Sequence, residues 1–214
     1  HELYYINILN NMKLVKEINQ LKEKKSQVSE KEAEEAVRTI IKFIGEDPTR
    51  EGLLSTPKRV IKAYKEYFKG YTQTPNDYLS KTFTEVEGYD DMVIEKNISI
   101  QSHCEHHMAT IMGVAHVAYI PSDKVVGLSK LARVVEVFSK RLQTQERLTM
   151  QIAKSIMEIL QPRGVAVTID ASHQCMTNRG IKKESATTVT NYFLGAFKDD
   201  LSFQNRYLRY INKD

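Results

Sequence analysis

The hydrophobic pattern changes its period near residue 81, and this change constrains the fold more than any other feature of the sequence. Before it, apolar residues recur at helical spacing, first as Leu14, Ile18 and Leu21 and then in a run that ends at Gly45. After it, the alternation of apolar and polar residues over 92–101 is typical of a half-buried β-strand. The sequence therefore predicts an N-terminal helical region followed by a domain built on a sheet.

The N-terminal region is predicted to cover residues 1–80. Ser55 and Pro57 predict the start of another helix that runs towards Gly70, because proline suits the first helical turn. The segment 71–81, which contains Pro75-Asn76-Asp77, has the composition of a linker.

Residues 81–214 are predicted to form the second, catalytic domain. A strand over about 108–120 follows the first one, and two amphipathic helices come next, with apolar faces that begin at Leu131 and Leu148. Two more strands begin near Val165 and Ala186, and a helical tail ends the chain. This order predicts an α+β domain in which an antiparallel sheet carries two helices on one face.

Composition narrows the functional classes. The formal net charge is +4, a mild basic excess that suits a small anionic substrate better than a nucleic-acid duplex. Cys104 and Cys175 are the two cysteines, so a disulfide scaffold is excluded, and reactive or metal-binding thiols in a reducing compartment are favoured over two buried thiols. No apolar run is long enough to span a bilayer and the first residues lack a secretory pattern, so we expect a soluble, cytoplasmic protein.

Cysteine and histidine are concentrated between residues 103 and 175. Cys104 and His107 have Cys-x-x-His spacing, which lets a thiolate and an imidazole share one metal where the chain turns. Cys175 also follows a predicted strand, so two antiparallel strand ends would bring the thiols together. These three ligands would leave a fourth zinc position for water, whose pKa zinc lowers to about 7. The alternative is a closed structural zinc site with His106 or His173 as fourth ligand.

The remaining histidines have different predicted roles. His106 and His173 flank the presumed ligands, where an imidazole would be within proton-transfer reach of a metal-bound substrate. The alternative for both is support of the ligands themselves. His116 lies within an apolar strand and is predicted to be a packed, hydrogen-bonded core histidine.

Residues 127–133, Gly-Leu-Ser-Lys-Leu-Ala-Arg, predict a phosphate site at a helix N-terminus. Ser129 as a hydroxyl cap, with Lys130 and Arg133 one turn apart, would converge on an anion together with backbone N–H groups. The sequence has no glycine-rich phosphate loop, so dispersed cations would bind a triphosphate. Further candidates are Arg179, Arg59 and Lys62, each of which would also suit a surface charge.

The second amphipathic helix opens with Gln145-Glu146-Arg147. A glutamate can accept two hydrogen bonds from a guanine edge, and a site built for those donors rejects adenine. The alternative for Glu146 is an ordinary first-turn charge that complements the helix dipole.

Seven short motifs, in order along the chain, resemble the GTP cyclohydrolase I family. They are Thr-Pro-Lys-Arg at 56–59, Cys-Glu-His-His at 104–107, Ala-Tyr-Ile-Pro at 118–121, Gly-Leu-Ser-Lys at 127–130, Gln-Glu-Arg-Leu-Thr at 145–149, His-Gln-Cys-Met at 173–176 and Arg-Gly at 179–180. The resemblance extends over about residues 30–197. It implies hydrolytic opening of the imidazole ring of GTP, release of formate and closure to 7,8-dihydroneopterin triphosphate. It also implies the tunnelling fold and a ring-shaped homodecamer with active sites between subunits.

The resemblance implies a role for each site residue. Zinc would be bound by Cys104, His107 and Cys175, and protons would be transferred by His106 and His173. Guanine recognition would belong to Gln145 and Glu146, and Ser129 would contact the sugar-phosphate part. The triphosphate would be held by Lys130, Arg133 and Arg179, joined by Arg59 and Lys62 from a neighbouring subunit.

Two other functions compete with this one. A zinc base deaminase uses similar chemistry, but its His-x-Glu and Pro-Cys-x-x-Cys signature is missing from the sequence. A non-catalytic oligomeric module with a structural zinc would bind nucleotides or proteins, and a solvent-exchangeable position on the metal would exclude it.

Overall fold

The structure is a computed structural model that describes residues 28–84 and 88–212. The predicted helical pattern of Leu14, Ile18 and Leu21 lies outside these residues. The helices are α1 (Glu30–Phe43), α2 (Thr56–Tyr67), α3 (Asn76–Leu79), α4 (Leu128–Ser139), α5 (Gln145–Leu160), α6 (Gln174–Thr177), α7 (Ala196–Asp199) and α8 (Leu201–Ile211), with 3-10 turns at Glu51–Leu53 and Lys69–Thr72. The strands are β1 (Thr82–Phe83), β2 (Val93–Cys104), β3 (Thr110–Ile120), β4 (Val125–Val126), β5 (Leu142–Gln143), β6 (Gly164–His173) and β7 (Thr188–Gly195).

Local sequence signals define the first two helices. Ser29 and Glu32 form a reciprocal capping box that satisfies free N–H groups at the start of α1. The helix ends where Gly45 takes a φ of +90°, a conformation that glycine adopts without strain. Pro57 stands in the first turn of α2, as the sequence predicts.

The segment predicted as a linker is instead packed against the sheet domain. It contains α3, and the side chain of Leu79 is fully buried in the main core. The buried guanidinium of Arg141 donates to the carbonyl oxygens of Gly70 at 3.0 Å and Gln73 at 3.1 Å. The prediction was wrong because a short helix begins after Pro75, and the Asp77 carboxylate in its first turn accepts the Thr74 N–H and stabilises the preceding turn.

The main sheet has the order β5-β2-β3-β6-β7. The four long strands are antiparallel to their neighbours, as predicted. The short strand β5 runs parallel to β2, with Cys104 opposite Gln143, so the sheet is mixed rather than antiparallel throughout. The sequence could not predict β5, because two residues between two helices are too few to show a period of two.

Helices α4 and α5 cover one face of the sheet, as predicted. Their apolar residues, including Leu131, Phe138 and Ile152, pack with Val117 and Val167 in the main core. The opposite face is also partly covered, because Phe197 and Tyr207 from the C-terminal segment pack on Ala118, Ile120 and Ala166. The helical tail is therefore part of the packed α+β structure.

His116 is the core histidine that the sequence predicts. Its side chain is buried on β3, and Nδ1 accepts a hydrogen bond from the backbone N–H of Asn97 at 3.3 Å. Burial lowers the pKa of His116. Within residues 28–84 and 88–212, no helix has the length and apolar character needed to cross a bilayer.

Candidate active site

The sheet topology brings both cysteines to one edge. β2 and β6 each pair antiparallel with β3, so they run in the same direction and end at the same end of the sheet, on either side of β3. Cys104 is the last residue of β2, and Cys175 follows the end of β6 by two residues. The predicted meeting of strand ends is confirmed, but the two strands are parallel to each other and not antiparallel.

His107 joins the cysteines through a tight turn. The N–H of Met108 donates to the Cys104 carbonyl at 2.8 Å, and the N–H of Cys104 donates to the Ala109 carbonyl at 2.8 Å. Met108 takes a positive φ of 52° to close this turn. The ligand atoms of Cys104, His107 and Cys175 all lie within 4.8 Å of one another. A Cys-His-Cys group of this kind is able to hold a metal ion.

The chemistry of the donor set fits zinc. Both thiols are free, and the thiolate and imidazole combination is one that zinc prefers. Burial and the neighbouring Cys104 raise the pKa of the Cys175 thiol, whereas a bound cation would favour the thiolate and release a proton. Among the described residues, the group whose ligand atoms come together consists of Cys104, His107 and Cys175.

The two predicted proton-transfer residues lie on the turn that follows β2 and at the end of β6. Nδ1 of the exposed His106 is 3.6 Å from Sγ of Cys104. His173 is half-buried, and its Nε2 is 2.7 Å from Oε1 of Gln145. Burial lowers the pKa of His173, and the carboxylate of Glu146 partly offsets this effect. Both imidazoles are thus close to the residues that would bind metal and guanine.

A cavity of about 400 Å³ opens beside the first turn of α5. Its lining includes Glu146, Arg147, Met150, Thr190 and Tyr192. Glu146 is exposed there, whereas the neighbouring Gln145 is 2% exposed, is not among the lining residues and has its amide hydrogen-bonded inside the protein. The structure therefore gives these two predicted guanine ligands very different surroundings.

The predicted phosphate residues of α4 lie on its first two turns, but the predicted hydroxyl cap is wrong. Gly127 is the N-cap residue and makes no side-chain cap hydrogen bond, while Ser129 lies inside the helix. Because Ser129 is the second residue of the helix, its hydroxyl does not occupy the N-cap position. Arg133 is exposed and donates to Glu136 at 3.1 Å, and Glu136 also accepts from Lys69 at 2.7 Å.

The other predicted cations lie on separate elements. Arg179 is exposed two residues after the end of α6. Arg59 and Lys62 are exposed on α2, where Arg59 donates to Thr56 Oγ1 at 2.7 Å. The C-terminal end of α2 approaches the metal-binding edge, because the ring of Tyr67 lies 5.0 Å from the ring of His103.

Two contacts at this site have no counterpart in the sequence predictions. Arg147 donates to Glu105 at 3.3 Å and so joins α5 to the loop between the presumed ligands. Phe68 packs on His103 with ring centroids 5.0 Å apart, which fixes the strand end next to Cys104. The opposite charges of Glu105 and Arg147 were the available sequence signal for their contact. Charge alone does not predict that two residues 42 positions apart will meet.

Comparisons with known proteins give the family. The sequence profile of GTP cyclohydrolase I matches residues 33–212. GTP cyclohydrolase 1 of Pelagibacter ubique is 71% identical over 202 residues, which is 94% of this chain and 100% of that protein. GTP cyclohydrolase 1 of Maricaulis maris is 58% identical over 86% of this chain and 90% of its own length, and that of Sinorhizobium fredii is 55% identical over 91% and 95%.

Among solved structures, the archaeosine synthase QueF-Like in its apo form is 18% identical, with a TM-score of 0.41 over 49% of this chain and 94% of that one. This likeness is too weak to define the fold. The profile match covers most of the chain, and the relatives above match it at high identity over nearly their whole length. The chain belongs to the GTP cyclohydrolase I family, whose members are enzymes that act on GTP.

Proposed function

We propose that this protein binds zinc through Cys104, His107 and Cys175 and opens the imidazole ring of GTP hydrolytically. Formate would be released and the remaining fragment rearranged and closed to 7,8-dihydroneopterin triphosphate, the first step of pterin, folate or tetrahydrobiopterin synthesis. The observation that carries the proposal is the approach of the three ligand atoms to within 4.8 Å, in a chain of this family. When bound, zinc supplies an activated water for hydrolysis near neutral pH.

His106 and His173 would move protons around the purine and the ribose. The support is that His106 Nδ1 is 3.6 Å from Cys104 Sγ and that His173 ends β6, two residues before Cys175. An imidazole exchanges protons readily near neutral pH, and a well-placed one contributes about 10²–10⁴-fold to the step that it serves. Ring opening needs a nucleophile, whereas the later sugar rearrangement and ring closure need repeated proton transfer.

The cavity at the start of α5 would hold the guanine. Glu146 lines it as an exposed carboxylate, which can accept hydrogen bonds from the N–H groups of a guanine edge. Adenine lacks these donors in the same arrangement and would leave the carboxylate unpaired. The Gln145 side chain does not line the cavity. Its amide oxygen is instead within hydrogen-bond distance of His173 Nε2.

The triphosphate would be bound by Lys130, Arg133 and Arg179, with Ser129 at the sugar-phosphate part. Lys130 and Arg133 lie one turn apart near the N-terminus of α4, where the helix dipole also favours an anion. Glu136 holds Arg133 at 3.1 Å in the free chain, so phosphate binding would compete with this exposed ion pair.

We also propose the tunnelling fold and a ring-shaped homodecamer with active sites between subunits. The support is that, in the part of the chain that the structure describes, β7 has no strand on its outer side and β2 has one only near His103 and Cys104. In this arrangement residues 81–214 carry the metal and guanine sites, and the helical region 1–80 supplies Arg59 and Lys62 to a neighbour. Such an enzyme would work in the cytoplasm.

The deciding experiment is incubation of zinc-loaded protein with GTP. We expect release of formate and, after oxidation, a fluorescent pterin. Removal of the metal with a chelator should abolish both, and addition of zinc should restore both. Turnover that is unchanged after complete metal removal would refute the zinc proposal, and formation of no product from GTP would refute the reaction.

A further inference from the structure

We propose that Gln145 is a positioning residue for His173. Its buried amide holds the imidazole with a hydrogen on Nε2 and leaves Nδ1 as the atom that exchanges protons with the substrate. This inference rests on the proposed proton-transfer role of His173. It assigns to Gln145 an action on the protein's own histidine, where the family resemblance implies an action on guanine.

The orientation of the Gln145 amide follows from its partners. The Nε2 atom lies 2.6 Å from the carbonyl oxygen of Thr188 and 3.1 Å from that of Ile169. A main-chain carbonyl oxygen can only accept hydrogen bonds, so the NH₂ group must point at these two atoms. The reverse orientation would place the amide oxygen against two other oxygens and leave the NH₂ group facing His173. The amide therefore has one favourable orientation.

That orientation determines the hydrogen on His173. The oxygen Oε1 of Gln145 faces Nε2 of His173 at 2.7 Å and can only accept. Nε2 must then donate, and it bears a hydrogen whether the ring is neutral or protonated. Proton exchange with a substrate is left to Nδ1, the other ring nitrogen.

The surroundings make this arrangement rigid. Gln145 is 2% exposed, and the hydrogen bonds of its side-chain amide join the first turn of α5 to β6 and β7. Its Nε2 is also 3.2 Å from Oγ1 of Thr190, which in turn is 2.7 Å from Oγ1 of Thr149. Rotation of the amide would replace its hydrogen bonds to the two carbonyl oxygens of β6 and β7 with unfavourable contacts between oxygen atoms. The amide is thus buried and engaged within the protein, and the exposed Glu146 is the residue better suited to contact guanine.

The first test compares Gln145→Met with Gln151→Met in zinc-loaded protein. Gln151 is a matched control because it lies on the same helix, is 6% exposed and accepts a hydrogen bond from Gln143 at 2.9 Å. We expect Gln145→Met to lower kcat about 10–100-fold, as loss of a residue that orients a functional histidine does. KM for GTP and zinc content should stay close to wild type, and Gln151→Met should keep its kcat. A raised KM with unchanged kcat would instead show that Gln145 binds guanine.

A double-mutant cycle with His173→Ala separates this inference from the proposed function. If Gln145 acts through His173, adding Gln145→Met to His173→Ala should lower kcat no further. Additive losses, with His173→Ala alone impaired, would overturn the positioning role and leave the proposed function standing. Wild-type turnover in His173→Ala would remove the role of the histidine itself and, with it, the need for a positioning residue.

A spectroscopic measurement tests the hydrogen position without any turnover. Solid-state ¹⁵N spectra of protein labelled with ¹³C,¹⁵N-histidine distinguish ring nitrogens that carry a hydrogen from those that do not, and His173→Ala identifies the signals of His173. We expect wild-type protein at a pH where the ring is neutral to show the hydrogen on Nε2 alone. Gln145→Met should show a mixture of the two tautomers. A hydrogen on Nδ1 in the wild type would refute the assignment.

Discussion

The carboxylate of Glu105 lies 3.3 Å from the guanidinium of Arg147, and this contact connects two parts of the site that are 42 residues apart in sequence. Glu105 stands between Cys104 and His107, while Arg147 follows the presumed guanine residue Glu146 on α5. A backbone hydrogen bond links the same two regions, because the N–H of Glu105 donates to the Gln143 carbonyl at 3.0 Å. The turn between Cys104 and His107 is therefore linked directly to the first turn of α5, which lines the cavity.

We expect Arg147→Gln to lower the free energy of unfolding only slightly, although it removes the contact between α5 and Glu105. Both side chains are substantially exposed, at 53% and 35%, and such pairs contribute about 0.2–1 kcal/mol. Urea unfolding of Arg147→Gln, Glu105→Gln and the double variant would give the pair energy directly. A coupling energy above about 2 kcal/mol would contradict the interpretation of this contact as a weak, exposed ion pair, because few exposed pairs reach that value.

Replacing Cys175 by serine should remove most of the bound zinc without unfolding the protein. The sheet core is large enough to stand without a metal, and Cys175 lies at its margin rather than within it. Zinc content by elemental analysis and the far-ultraviolet circular dichroism spectrum would be measured together, with Met176→Leu as the control next to the ligand. Full zinc occupancy in Cys175→Ser would show that the ligand set is wrong.

Arg133→Ala and Arg179→Ala should weaken the binding of GTP far more than that of guanosine. Charge-assisted contacts to phosphate contribute about 1.5–3 kcal/mol, and they are present only when the ligand carries phosphate. Dissociation constants for both ligands would be measured by calorimetry, with Arg209→Ala as control because Arg209 is exposed in the last turn of α8. Equal losses for GTP and guanosine would indicate a structural role for the arginine.

Glu158→Gln should stabilise the protein at pH 8 but not at pH 4.5. Burial raises the pKa of Glu158 to about 7, and its Oε1 has no hydrogen-bond partner among the described residues. The unfolded chain ionises this group near its ordinary value of 4.5, so the folded protein loses stability between pH 4.5 and about 7, and the loss persists above that range. We expect a gain on the order of 1–3 kcal/mol at pH 8.

Urea unfolding at the two pH values would check this, with Glu51→Gln at an exposed position as control. A gain of the same size at both pH values would mean that the ionised carboxylate is not the cause.

Much of the site could be predicted from local sequence. The Cys-x-x-His spacing and the second cysteine after a strand were enough to predict the convergence of Cys104, His107 and Cys175, which the structure confirms. Helix boundaries were also predictable near Pro57 and Gly45, because the φ preferences of proline and glycine act within a few residues.

The remaining features depend on how distant strands pair. The contact between Gln145 and His173 exists only because β6 and β7 present the carbonyls of Ile169 and Thr188 to one amide, and 28 residues separate the pair. A sequence pattern gives the faces of strands but not the register between them. For the same reason the parallel strand β5 and the packed segment around Leu79 were beyond the sequence.

The last prediction separates the role of the metal ligands from that of the nearby histidine. In His107→Ala the zinc site has lost a ligand, so we expect neither formate nor any ring-opened formyl intermediate from GTP. In His173→Ala the three ligands Cys104, His107 and Cys175 remain, so zinc should stay bound. Loss of one general acid or base costs about 10²–10⁴-fold at the step that it serves, so an opened intermediate should accumulate while pterin formation stalls.

Three measurements on both proteins decide between this division and a purely supporting role for His173. Zinc content, the absorbance of the opened purine and formate release would be followed side by side after mixing with GTP. If His173 only supports Cys175, two residues along the chain, then His173→Ala should lose zinc and resemble His107→Ala in all three. The hydrogen bond from His173 to Gln145 argues against this outcome, because that bond holds the ring towards α5 independently of the cysteine. Retained zinc without an opened intermediate in His173→Ala, or normal ring opening in His107→Ala, would show that the two residues do not divide the reaction in this way.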